Sequence, residues 1–232
     1  MIDDSVPWRQ ELMKSAWRLR RWNTQKRWTS RTYFNAERDI MMGAYSIRRL
    51  IDSKKSSSLL ARRRIPTRRY ALIGRVPLVL DRFDPERFYD IGAPTNSELE
   101  VGWLCNQIIH SFIFQLYLED DSTTSALFVS DHDRGKHLHG LPFATIADLF
   151  DYVAREDVVE RYGTMVDGEE RIVNLSNHDA VESGRAVYAD NDRVIIQWTP
   201  EEIPAFDQRI LDMVARRCAE QRTTSGFNGT QG

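Results

Sequence analysis

The chain has 232 residues, 41% of them hydrophobic, and a formal net charge of −2, enough apolar material for a buried core in one large domain or two small ones. Cys105 sits in an apolar run and Cys218 near an expected helix end, so a disulfide framework is not indicated and a reducing compartment is expected. The first residues, Met1-Ile2-Asp3-Asp4, do not read as a signal peptide. The longest apolar stretch, 108–118, is interrupted by His110, Ser111 and Gln115, so the expectation is a cytoplasmic protein with no membrane partner.

The near-neutral total conceals a split. Residues 1–75 carry 19 Lys and Arg against 6 Asp and Glu, whereas residues 76–232 carry 13 against 28. A basic third joined to an acidic remainder predicts a polyanion partner, or docking of one region on another within or between chains.

In chain order, Trp8, Leu12, Ala16 and Leu19 have helical spacing, which predicts a helix over 5–30. Within it Trp17, Trp22 and Trp28 alternate with Arg18, Arg20, Arg21, Lys26 and Arg27. A second helix over 36–55 follows from the stripe Ile40, Ala44, Ile47 and Ile51, with Lys54, Lys55 and three serines ending it. Arg62, Arg63, Arg64, Arg68 and Arg69 then surround Pro66 in what reads as a basic connector. Residues 70–80 read as one strand, or two split by Gly74 and Pro77, and 81–96 as a loop. Asn96 or Ser97 is placed to cap a helix that starts near Glu98 and runs through Trp103, Leu104, Ile108 and Phe112. It ends near Leu118, although 112–118 has strand composition as well.

Residues 125–130 and 136–141 read as a hairpin around Asp131-His132-Asp133-Arg134-Gly135, and Ile146, Leu149, Phe150 and Val153 as an amphipathic helix. Two more hairpins turn at Asp167-Gly168 and at Asp190-Asn191-Asp192. A closing helix starts at Thr199-Pro200 and carries Ile210, Leu211, Met213 and Val214, and residues 223–232 read as a disordered tail. The class is therefore α+β, a helical N-terminal part followed by mixed hairpins and helices. A single unit is expected over 1–222, basic and helical over 1–69, acidic and mixed over 70–222.

Three constellations carry chemistry. In Cys105-Asn106-Gln107-Ile108-Ile109-His110, Asn106 and His110 stand one helical turn apart, with Trp103 and Phe114 beside them. An amide and an imidazole so placed bind phosphate or hydroxyl groups, or exchange protons near neutral pH. This segment resembles the active-site helix of the HEPN superfamily, helical ribonucleases and nucleotide-binding proteins. Their signature is an Arg, commonly followed by a polar residue, with His five positions after the Arg. Asn106 matches the polar position and His110 the His, while Cys105 stands where that family has the Arg expected to stabilise phosphate charge. The resemblance implies a nucleic-acid role with Asn106 and His110 as the catalytic residues. The favoured alternative is a buried polar pair that anchors the helix.

The second constellation is His132, His137 and His139 with Asp131 and Asp133. His137 and His139 share a strand face, but a fourth ligand is missing, so the reading is a solvated hairpin tip with no metal site. The third is the basic set Arg20, Arg21, Lys26, Arg27, Lys54, Lys55, Arg62, Arg63, Arg64, Arg68 and Arg69, which neutralises phosphates while Trp and Tyr stack on bases. No phosphate-cradling glycine loop, dinucleotide fingerprint or nucleophile elbow is present.

The expectation is a non-catalytic, bacterial-type protein that needs no cofactor and binds nucleic acid or a nucleoprotein through its basic third. The second reading is an interaction subunit whose basic third docks on an acidic surface of a partner or of its own homo-oligomer. The third is a HEPN-like or metal-dependent nuclease.

Overall fold

The computed structural model describes residues 4–119, 123–166, 169–182, 186–189 and 193–196, with the backbone alone for 162–166, 169–171, 186–189 and 193–196. The fold is α+β, as expected, and the chain divides into two compact units where the sequence reading expects one. The first takes in Met1–Lys55 and Leu59–Arg155, the second Ser56–Ser58 and the chain from Glu156 onward.

In the first unit, helix α1 spans Val6–Asn23 and α2 spans Ser30–Asp52. The helix expected over 5–30 thus stops seven residues early. Thr29 takes extended dihedrals and its side chain accepts the N–H of Thr32, which starts α2 six residues before the expected boundary. Leu12, Ala16 and Leu19 form the buried stripe of α1, and Ala36, Ile40, Gly43, Ala44, Ile47 and Leu50 that of α2.

The arginine-rich connector is in fact a strand. β1, Arg64–Ala71, buries Ile65, Thr67 and Tyr70 and leaves Arg64, Pro66 and Arg69 exposed. Residues as polar as these form a strand because each has a strand neighbour. β1 pairs antiparallel with β2, Thr95–Glu100, over 64–69, and with β5, His137–Pro142, over 68–71. Pro66 falls in the half paired only with β2, so its missing N–H costs no ladder bond on the β5 side.

Residues 72–94 form no strand, contrary to the reading of 70–80. A lone bridge joins Leu72 to Tyr89, and 3-10 turns occupy Val79–Phe83 and Pro85–Arg87. Asn96 and Ser97 lie within β2 and cap nothing. Helix α3 starts at Val101, ends at Ile109, and gives way at once to β3, Ser111–Leu118. The strand composition of 112–118 was the better guide there. β4, Thr124–Ser130, and β5 form the expected hairpin, followed by α4, Phe143–Arg155. The sheet order is β2-β1-β5-β4-β3.

Each sheet face has its own core. Ala126, Phe128 and Leu141 face a layer built from Leu12, Ile40, Leu104 and Phe150 on the four helices. On the other face Tyr70, Ile113, Leu127, Val129 and Leu138 pack with Phe88 and Tyr89 from the 72–94 segment. Gly140 is part of that second packing, because a Cβ there would meet the Tyr70 ring at 2.8 Å.

In the second unit, β6, Val158–Val166, pairs with β7, Glu169–Ser176, and β8, Ala186–Ala189, with β9, Arg193–Ile196, matching the two expected hairpins. Helix α5, Asn177–Glu182, lies between them. The serine run joins this unit: Asn174 donates its backbone N–H to Ser58 Oγ (3.0 Å) and its side-chain Nδ2 to the Ser56 carbonyl (3.1 Å). The turns at 167–168 and 190–192, the closing helix and the tail lie outside the described residues. No helix among the described residues is long and apolar enough to cross a membrane.

Candidate nucleic-acid interface

The basic third divides into side chains that are paired within the first unit and side chains that are not. Arg9 donates to the carbonyls of Val153 (2.5 Å) and Lys55 (2.6 Å), oxygens near helix ends that have no intrahelical donor. Asp39, which is buried, receives Arg18 at 2.5 Å and Arg38 at 3.1 Å. Arg20 pairs with Asp148 (2.9 Å) and Asp151 (3.4 Å) on α4. Arg63 lies 4.1 Å over the Tyr152 ring and also donates to its hydroxyl (3.0 Å). Arg64 reaches Glu98 at 3.7 Å and Arg68 reaches Glu119 at 2.8 Å. Lys54 and Arg62 are exposed and Lys55 is half-buried, near the end of α2 and before β1.

Arg21, Lys26, Arg27 and Arg31 behave differently. All four are exposed, and none forms an ion pair with a described residue. They occupy the last turn of α1, the 24–29 connection and the first turn of α2, so one chain reversal gathers them at one corner. Aromatic side chains share that corner. Trp17 and Phe34 are exposed, and the Arg21 guanidinium stands 5.8 Å from the Trp17 ring. A cavity of ≈ 370 Å³ opens at the start of α2, lined by Trp28, Thr29, Ser30, Tyr33, Phe34 and Glu37. Trp28 is half-buried and set edge-on to Tyr33 (6.4 Å) and Phe143 (6.1 Å). The Tyr33 hydroxyl accepts the backbone N–H of Leu116 at 2.7 Å, which ties the corner to the edge strand β3.

The chain matches no family model, no curated protein and no solved structure.

Arg31 and the aromatic wall escape a sequence reading that runs one helix through residue 30. The available signal was Thr29 followed by helix-period residues, which reads as an N-cap and puts Arg31 on a new first turn.

On α3, Asn106 is half-buried and His110 is exposed at the C-cap, where its backbone N–H bonds the Asn106 carbonyl (3.0 Å). The buried pair expected of these two side chains does not form. Cys105 is buried, and burial pushes its thiol up to about 12, so it is a neutral core residue at physiological pH. The polar anchor is Gln107, the residue after Asn106. It donates to Asp133 Oδ2 (2.6 Å) and accepts the Ser130 backbone N–H (2.9 Å), and Lys136 closes on Asp133 Oδ1 at 2.5 Å. Contact with Lys136, and then the bond from Gln107, holds the Asp133 carboxyl below its usual range.

The helix and the histidine hairpin, separate in the sequence, thus lie together. The buried His139 ring is set edge-on to Trp103 (5.2 Å) and to His137 (5.6 Å), and stacks on Phe128 (6.0 Å). His132 is exposed on the turn. Among the described residues no three His, Cys, Asp or Glu side chains converge as metal ligands.

Proposed function

We propose that the chain binds single-stranded nucleic acid through the corner between α1 and α2, as a cytoplasmic, non-catalytic binding protein. The observation that carries this reading is the set of unneutralised cations, Arg21, Lys26, Arg27 and Arg31, beside an aromatic-lined cavity. Cations track the phosphate backbone, and an aromatic face accepts any base by stacking, worth about 1–3 kcal/mol per base. Arg20, Arg64 and Arg68 are spent on carboxylates of their own unit, so they contribute to folding, not to the interface. Buried Cys105 stands where the HEPN motif has its arginine, and His110 is exposed, so nuclease chemistry is the weaker proposal.

Fluorescence anisotropy with single- and double-stranded RNA and DNA at two salt concentrations tests this. The parent protein is expected to bind single strands with a salt-dependent affinity. Changing Arg21, Lys26, Arg27 and Arg31 to Gln is expected to flatten that dependence by about 0.7 in the log–log slope per lost phosphate contact. All four side chains are exposed, so the variant should melt like the parent. An unchanged slope removes the corner from the interface. Preference for polyglutamate over nucleic acid would instead establish the second reading, a corner that docks on acidic protein.

A further inference from the structure

We propose that Thr67, Arg69, His137, His139 and Trp103 form a binding site for a phosphate group, sharing no residue with the α1–α2 corner. The pairing register aligns the site. Thr95, Arg69 and His139 lie directly opposite one another across β2, β1 and β5. Ser97 and Thr67 form the adjacent cross-strand pair. Side chains two apart on a strand share a face, so Thr67 and Arg69 on β1 lie on the same side as His137 and His139 on β5. This is the helix side of the sheet, where Trp103 of α3 reaches over the His139 ring.

Two features mark the place as built for a ligand. The first is a concentration of buried polar atoms without partners. Among the described residues Thr67 Oγ1 and both ring nitrogens of His139 find no hydrogen-bond partner, and the two residues are 5% and 2% exposed. Leaving such atoms unpaired is unfavourable, and folded proteins keep few of them. The second is charge. Arg69 is exposed and forms no ion pair among the described residues, while Lys136 is matched by Asp133 at 2.5 Å. Arg69 thus brings a positive charge that no described carboxylate matches. The guanidinium, a threonine hydroxyl and an imidazole N–H offer donors from three side chains, which suits the several acceptor oxygens of a phosphate. Trp103, 37% exposed, borders this floor and offers a face to whatever carries the phosphate.

The charged groups acting on His139 are His137 on its own strand, Asp133 on the turn, itself paired with Lys136, and Arg69 on β1; α3 sets the neutral Trp103 against the ring. Burial first, then the neighbouring His137, keeps the His139 imidazole neutral at physiological pH. A bound anion favours its protonated form, so phosphate binding raises the pH at which this ring titrates.

The test is titration of the full chain with inorganic phosphate and, separately, with AMP, at ionic strength held constant by chloride. The imidazole nitrogen resonances of His137 and His139 report it. Both are expected to shift saturably, with the His139 titration midpoint moving up, and Arg69→Gln is expected to weaken binding about tenfold or more. Thr67→Val supplies a second variant that leaves the charge unchanged, with a melt as its folding control. Tighter binding of AMP with a change in Trp103 emission assigns a phosphomonoester; equal affinity assigns phosphate itself. Resonances that stay still, that move equally with chloride, or that respond equally in Arg69→Gln would overturn the site. The α1–α2 corner variant is expected to keep the phosphate response, so the two proposals fail separately.

Discussion

Gln107 and His110, three residues apart, show how much position along a short helix matters. Both are polar and both sit in the segment that drew notice for its chemistry. Gln107 faces inward and bridges the Asp133 carboxylate and the Ser130 N–H, whereas His110 is exposed at the helix end. Gln107→Leu is expected to strand two buried groups, one of them charged, and to cost about 1–3 kcal/mol. His110→Ala is expected to stay within about 0.5 kcal/mol of the parent. Urea denaturation of the two variants checks both values, and a reversed ranking would mean that the polar anchor has been assigned to the wrong side chain.

Among the elements, the crossing of α2 and α4 rests on a missing side chain. A Cβ at Gly43 would overlap the ring of Phe150, and both residues are buried. In a helix interior glycine is otherwise unfavourable relative to alanine by roughly 0.5–1 kcal/mol. Close approach of the ring is the gain that offsets this. Gly43→Ala is therefore expected to destabilise by about 1–3 kcal/mol despite its better helix propensity. Adding Phe150→Leu to Gly43→Ala is expected to cost less than the two single changes together, since the smaller side chain vacates the overlap. Strict additivity in a double-mutant cycle would show that Gly43 serves something other than Phe150.

For the whole molecule, the buried imidazole makes stability depend on pH. Burial, and then His137, lowers His139 from an ordinary 6.5 to about 4 in the folded chain. Between these values the unfolded chain binds the proton and the folded chain resists it. Stability is thus at its full value above pH 6.5 and falls as the pH drops toward 4, by about 3 kcal/mol in all. Asp133, whose carboxyl is held below its usual 3.8, loses its contribution only at still lower pH. The urea midpoint is expected to drop between pH 7 and pH 5, and His139→Phe is expected to flatten that drop. An equal fall in the variant would place the titrating group elsewhere.

The elements set by local periodicity were legible in the chain. Ile40, Ala44 and Ile47 mark α2, and the run from Ser125 to Leu141 with its polar turn marks the β4–β5 hairpin. Composition alone also determined the charge split, because counting needs no fold. Tertiary structure decided the rest. An arginine-rich segment around a proline became a strand because β2 and β5 supply its ladder partners, which no window of local sequence contains. Which arginines are neutralised depended on distant acids, Asp148 and Asp151 for Arg20 and Glu119 for Arg68. The meeting of Arg69, His139 and Trp103, from three parts of the chain, likewise depended on cross-strand register and helix placement, and long-range packing alone sets both.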